Sequence, residues 1–194
     1  MSIKTFYPKN RLEWREWLQK NHDKEQSVWL IYYKKKSNNA SIVYSDAVDE
    51  ALCFGWIDSK SKPLDDKKYM QYFSKRKVKS VWSKVNKETV ERLISEGLMT
   101  KAGFDIIEIA KLNGSWTILD EAEAFVIPKD LDENFARRPK AKAYFLSLSN
   151  SDRRNILQWL TLAKREETRQ KRINEIVELA TQNLKPKQFR GQKK

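Results

Sequence analysis

The sequence predicts an α+β fold, with a small sheet and flanking helices in the N-terminal half and a helical C-terminal half. Two short runs rich in β-branched and aromatic residues, at 27–34 and 68–74, are typical of strands. From residue 83 onward, apolar residues recur every three or four positions, which is the helical period. Because 40% of the 194 residues are hydrophobic, the chain can bury a core.

The first predicted elements are a helix and a strand. Asn10 followed by Glu13 is typical of a capping box, and the apolar stripe after it predicts a helix over 10–21. The run 27–34 is short for a helix and predicts a strand that is buried on at least one face. A polar turn follows, and we expect residues 42–44 to return as a short strand.

A second helix and a further strand complete the predicted sheet region. Ser45 is a typical N-cap for this helix, and Gly55 stands where a left-handed C-terminal residue belongs. We expect residues 55–58 to leave the helix in extended form. A turn around Pro63 then leads to the strand predicted over 68–74.

The second half predicts helices, interrupted by an acidic connector at 115–130. Ser83 and Thr100 are the expected N-caps of the first two. Further helices are predicted over 136–148, 150–164 and 166–183. The resulting domain prediction is an α+β core over 1–115, a helical region over 116–184 and a basic, disordered tail over 185–194.

The composition excludes several classes of protein and site. No run approaches the ~18 apolar residues that a membrane-spanning helix needs, and we expect no signal peptide. A single cysteine cannot form an internal disulfide, which agrees with a cytoplasmic location. One histidine and one cysteine exclude zinc sites of the usual kind, and neither a cofactor nor a metal is predicted.

The formal net charge of +13 makes nucleic acid one candidate partner. The basic excess is spread over both halves, with local concentrations at Lys75–Lys87 and in the tail at 185–194. A nucleic-acid-binding protein that uses these two segments is therefore one alternative. The other interpretation of the same residues is a solvated face and a frayed terminus. The sequence does not predict an oligomeric state.

The segment that follows the predicted strand at 68–74 is the main candidate site. Ser80, Trp82, Ser83 and Asn86 lie where a helix begins, and unpaired backbone N–H groups at a helix start attract anions. Arg76 supplies charge nearby, and the Trp82 ring offers a face on which a base can stack. The alternative is structural, since a capping serine and a core tryptophan explain the same pattern.

Asp58 is the remaining candidate site residue. Its carboxylate could pair with Arg76 and orient the guanidinium toward a ligand. If the protein is an enzyme, Asp58 is the one acid that we would name for its site. A thiol–imidazole pair of Cys53 and His22 is disfavoured, because a cysteine in an apolar helical stretch is usually buried and inert.

Four stretches of the chain carry the pattern of a known family. Three lie in the N-terminal half, at Ala47–Asp58, Tyr72–Lys77 and Ser80–Asn86, and the fourth is a helical stretch from Ala141 to Ile173. The first three resemble the YdeI/OmpD-associated proteins, also labelled bacteriocin-protection proteins, and the fourth resembles the C-terminal part of that family. One departure is Val78, which stands where the family commonly has proline.

The resemblance implies a bacterial, cytoplasmic protein tied to envelope stress or to tolerance of antibacterial peptides. It implies no established reaction and no cofactor. The family's recurrent residues correspond here to Gly55, Trp56, Ile57, Asp58, Arg76, Ser80, Trp82, Ser83 and Asn86. The preferred hypothesis is a protein that binds a small anionic molecule or nucleotide through these residues. The alternatives are a nucleic-acid binder and an enzyme of unknown reaction.

Overall fold

A four-stranded sheet organises the first part of the chain. A computed structural model describes residues 4–190. The strands are β1 (Thr5–Phe6), β2 (Ser27–Tyr33), β3 (Trp56–Pro63) and β4 (Lys68–Lys75), in the spatial order β1-β2-β4-β3. β1 lies parallel to β2, and the other neighbouring pairs are antiparallel.

The sheet has one face in the core and one face directed away from it. Along β2, Val28, Leu30 and Tyr32 are buried, while the residues between them are partly exposed. This alternation follows from the period of two of a β-strand. The inner-face partner of Val28 on β4 is Phe73, which packs edge-on against a helix residue, Trp14.

Four helices contribute buried side chains to the same core as the sheet. They are α1 (Arg11–Asn21), α2 (Tyr44–Cys53), α3 (Lys84–Ser95) and α4 (Lys101–Leu112). The expected caps are formed at two of them. Asn10 Oδ1 accepts a hydrogen bond from the Glu13 amide at 3.0 Å, and Ser83 Oγ accepts one from the Asn86 amide at 3.3 Å. Thr100 precedes α4, but its hydroxyl donates to the Cys53 carbonyl oxygen instead of capping.

The end of α2 and the start of α4 lie in close contact at two glycines. Gly55 has a left-handed φ of +71°, and a Cβ built there would lie 2.9 Å from the Ala102 carbonyl oxygen. At Gly103 a Cβ would lie 2.4 Å from the Cys53 carbonyl oxygen. Both positions therefore require glycine, and Gly55 also lets the chain turn directly from α2 into β3.

The remaining helices form a second compact unit with its own core. The chain divides into unit 1 (Met1–Trp116) and unit 2 (Thr117–Lys194). Unit 2 contains α5 (Asp120–Glu123), α6 (Lys129–Ala136), α7 (Pro139–Ser147), α8 (Asn150–Thr161) and α9 (Glu166–Thr181). Its core includes Phe135, Phe145 and Leu160. Within residues 4–190, no helix is both long and apolar enough to cross a membrane.

The α+β fold class and its division into a sheet-containing half and a helical half are confirmed. The strand predicted at 42–44 is wrong, because Ile42 is buried in a loop and α2 already begins at Tyr44. In the predicted tail, Lys187–Phe189 form a 3-10 turn, and the Phe189 ring packs edge-on against Trp159. Residues 191–194 of that tail lie outside the described residues.

Candidate functional site

A cavity of about 300 Å³ lies in unit 1, beside the end of β4 and the face of α4. Its wall combines apolar side chains with charged groups of both signs. The lining residues are His22, Asp23, Phe54, Gly55, Trp56, Lys75, Arg76, Ala102, Asp105, Ile106 and Ile109. Among the described residues, this cavity includes Arg76 from the predicted site but none of Ser80, Trp82, Ser83 and Asn86.

Arg76 follows β4 and is held by backbone and side-chain contacts. Its amide donates to the Gly55 carbonyl oxygen at 2.9 Å, and its Nη2 donates to the Val81 carbonyl oxygen at 2.7 Å. The guanidinium carbon lies 3.6 Å from the centre of the Trp82 ring, which is the distance of a cation–π stack. Arg76 is only 6% exposed.

The guanidinium of Arg76 is a buried cation whose hydrogen-bonding capacity is only partly used. Its Nε and Nη1 atoms are closed to solvent and have no acceptor within the described part of the chain. Burial lowers the pKa of Arg76 to about 10, and the carboxylate of Asp58 acts in the opposite direction. Buried arginines are usually paired with a carboxylate. A ring stack and one hydrogen bond to a carbonyl oxygen compensate the Arg76 charge less completely than a carboxylate would.

Trp82 has the structural role of a core tryptophan, which was the alternative to base stacking. It is 1% exposed, with the Arg76 guanidinium against its ring and the Trp116 ring 4.9 Å away. No free face is left on which a base could stack, so the stacking prediction for Trp82 is wrong. The indole instead packs in the core of unit 1, and its ring stacks against the Arg76 guanidinium.

Asp58 lies on β3 and does not pair directly with Arg76. Its Oδ2 accepts hydrogen bonds from the Tyr44 hydroxyl at 2.7 Å and from Gln71 Nε2 at 2.8 Å. The predicted ion pair is therefore wrong, although the carboxylate is close enough to favour the charged form of Arg76. Burial and the bond to Asp58 raise the pKa of Tyr44, which keeps this hydroxyl protonated as a donor.

Ser80, Ser83 and Asn86 lie around the start of α3. Ser83 is occupied as the N-cap, and the Ser80 amide donates to the Lys77 carbonyl oxygen in the preceding turn. Asn86 is half-buried. Their contribution to ligand binding stays a prediction, because the cavity at Arg76 opens toward α4 instead of α3.

Sequence reasoning missed the cavity residues that α4 supplies. Ile106 and Ile109 are ordinary apolar positions of an amphipathic helix, and Asp105 resembles any solvated acid in the sequence. Only the pair of glycines at Gly55 and Gly103 signals that α4 approaches the end of α2.

Burial raises the pKa of the Cys53 thiol to about 11, so this cysteine is a poor nucleophile.

Two family models match the chain. Residues 6–106, just over half of the chain, match a family described as Domain of unknown function (DUF8412). The chain belongs to this family. Residues 124–183 match the model described as Bacteriocin-protection, YdeI or OmpD-Associated, which confirms the family expected from the sequence. That match falls in unit 2, whereas the residues that line the cavity, apart from Ile109, lie in the DUF8412 region. No curated protein and no solved structure shows significant similarity to the chain.

Proposed function

We propose that the DUF8412 region of this protein binds a small organic anion in the cavity lined by Arg76. The observation that carries the proposal is the guanidinium itself, which is nine-tenths buried with Nε and Nη1 lacking an acceptor. The Trp82 ring and one carbonyl oxygen compensate this buried charge, but two of its nitrogens are left without an acceptor, and perturbed charged groups of this kind cluster at functional sites. A carboxylate or phosphate oxygen would supply the missing acceptors.

The cavity wall supports a ligand with one anionic group and an apolar body. Lys75 adds a second cation beside Arg76, while Phe54, Trp56 and Ile106 provide apolar surface. Asp23 and Asp105 also line the cavity and would repel further negative charge. This arrangement favours a monocarboxylate or monophosphate ester over a nucleoside triphosphate.

Access to the two nitrogens requires a side-chain movement. Nε and Nη1 are closed to solvent, so an anion reaches them only when the guanidinium rotates away from Trp82 toward the cavity. The cation–π contact is worth about 2 kcal/mol when desolvated, and the ligand has to replace it. We therefore expect micromolar to millimolar affinity, since a charge-assisted hydrogen bond contributes about 1.5–3 kcal/mol.

The proposal is tested by a thermal-shift screen of carboxylates and phosphate esters, followed by calorimetry. A ligand at 100 times its Kd stabilises a protein by about 2.7 kcal/mol, which raises the unfolding midpoint of a domain of this size by roughly 10 °C. We expect Arg76→Gln to remove the shift and Arg137→Gln, at an exposed arginine of unit 2, to keep it. Shifts that survive Arg76→Gln would contradict the proposal.

The match of unit 2 to a bacteriocin-protection family supports a wider proposal for the whole chain. We propose that the protein acts in the bacterial cytosol in tolerance of antibacterial peptides, with the bound anion as its signal or cargo. A deletion strain should become more sensitive to bacteriocins, and the Arg76→Gln variant should fail to restore resistance. If the Arg76→Gln variant restores resistance fully, the role in tolerance does not depend on anion binding in the cavity.

A further inference from the structure

The outer face of the sheet carries aromatic rings that take no part in the core of unit 1. Trp29 on β2 lies directly opposite Tyr72 on β4, and their ring centres are 5.1 Å apart in an edge-to-face arrangement. Both side chains are partly exposed. Neither belongs to the hydrophobic core cluster, which contains the inner-face residues of the same strands. Ile31 and Tyr33 continue this face along β2.

Lysines accompany these rings. The ammonium group of Lys60, on the irregular part of β3, lies 5.7 Å from the Trp29 ring centre and 5.6 Å from that of Tyr72. Lys62 is paired in register with Met70 on the same face, and both lysines are exposed. The ammonium of Lys68 lies 5.7 Å from the Tyr33 ring centre.

The charge around this face is positive at the end where β2 finishes. Lys34, Lys35 and Lys36 follow Tyr33 directly and are exposed. The opposing charge comes from the β3–β4 turn, where Asp65 forms an ion pair with Lys68 at 3.3 Å and Asp66 is exposed. Lysine side chains therefore outnumber the acids beside the rings.

We propose that this outer face binds single-stranded nucleic acid, with bases stacked on Trp29 and Tyr72 and phosphates beside Lys60 and Lys62. Aromatic side chains on the open face of a sheet stack unpaired bases, and neighbouring cations neutralise the backbone. A duplex cannot use the rings, because its bases are already stacked on each other. The face is separate from the Arg76 cavity and differs from the basic segment Lys75–Lys87 predicted from the sequence.

Fluorescence anisotropy with labelled 10-nucleotide DNA, the RNA of the same sequence and a 10-base-pair duplex tests this proposal on the full chain. We expect both single strands to bind more tightly than the duplex. Tyr72→Ala should raise Kd roughly five- to 150-fold, the range for loss of one stacked base. Phe104→Ala, at an exposed aromatic residue of α4, should leave Kd unchanged.

Two lysine variants test which positive charges contact the nucleic-acid backbone. Lys60→Gln should raise Kd and lower the salt dependence by about 0.7 in the slope of log K against log salt concentration. Lys77→Gln removes the same charge from the rival basic segment and should have little effect. Both lysines are exposed, so unchanged unfolding midpoints will show that the fold is kept.

Three results would overturn the proposal. Equal affinity for duplex and single strands would show that the rings do not stack bases. A larger effect of Lys77→Gln than of Lys60→Gln would move the interface to the segment Lys75–Lys87. Absence of binding at low salt, together with a dimer that Tyr72→Ala dissociates in sedimentation experiments, would assign the face to a second copy of the chain.

Discussion

Replacing Arg76 with methionine separates a binding role of the guanidinium from a structural one. Methionine keeps much of the volume of the side chain and removes its charge. A pKa lowered from the ordinary 12.5 to about 10 corresponds to about 3 kcal/mol of penalty for keeping the group charged at neutral pH. The stack on Trp82 and the bond to the Val81 carbonyl offset this by about 2–4 kcal/mol.

The two contributions nearly cancel, so we expect the Arg76→Met variant to unfold with a free energy within about 1 kcal/mol of the wild type. Arg92→Met is the matched control. Its guanidinium donates to Asp49 at 2.6 Å, and its loss leaves a mostly buried carboxylate with a weaker partner. This control should lose about 1–2 kcal/mol.

Urea unfolding followed by tryptophan fluorescence measures the effect, because six of the seven tryptophans lie in unit 1. A loss of about 3 kcal/mol or more in Arg76→Met would contradict a near balance of these contributions. The guanidinium would then stabilise the core of unit 1, and its unpaired nitrogens would not indicate a ligand.

Three further predictions concern packing and titration. Gly55→Ala should lose roughly 3 kcal/mol in urea unfolding, against roughly 1 kcal/mol for Gly97→Ala, since both have a left-handed φ but only Gly55 faces another helix; equal losses would contradict the close contact. Cys53 should not react with a thiol reagent at pH 8 until the protein unfolds, because burial raises its pKa to about 11; labelling of the native protein would contradict its burial. Arg169 lowers the pKa of Asp130, so the pair stabilises unit 2 above the ordinary pKa of the carboxyl, and this stability is lost as acid protonates Asp130. The free energy of unfolding, followed by circular dichroism in urea, should therefore fall more between neutral and acid pH in the wild type than in Asp130→Asn, and an identical pH dependence of the two proteins would contradict a stabilising ion pair.

The elements of unit 1 could be predicted because local signals and tertiary packing agree there. The period of two over β2 places Val28 and Leu30 on one face, and the capping patterns at Asn10 and Ser83 fix where helices begin. The strand prediction at 42–44 is wrong because Ile42 is buried as part of a loop that packs on the core. Strand propensity alone does not distinguish a short buried strand from a buried loop.

The candidate site could be predicted only in part, since it depends on contacts between distant segments. The sequence predicts Arg76 as a candidate site residue, and Arg76 does line the cavity. Its burial against Trp82 could not be inferred, because an aromatic residue near an arginine is equally consistent with a ligand platform. Asp58 turned out to be held by Tyr44 and Gln71. Which carboxylate meets which cation is decided by strand register and not by sequence proximity.

Anion binding by Arg76 can be observed directly at its Nε–H group while an anion is added. In a ¹⁵N correlation spectrum, Arg76→Gln assigns its resonance, and small carboxylates and phosphate esters are then titrated into the wild-type protein. Binding in the cavity predicts a saturable shift of the Arg76 Nε–H resonance, larger than any shift of the exposed arginines. An Arg76 resonance that stays in place at saturating concentrations, or moves only in parallel with the others, would contradict anion binding by Arg76.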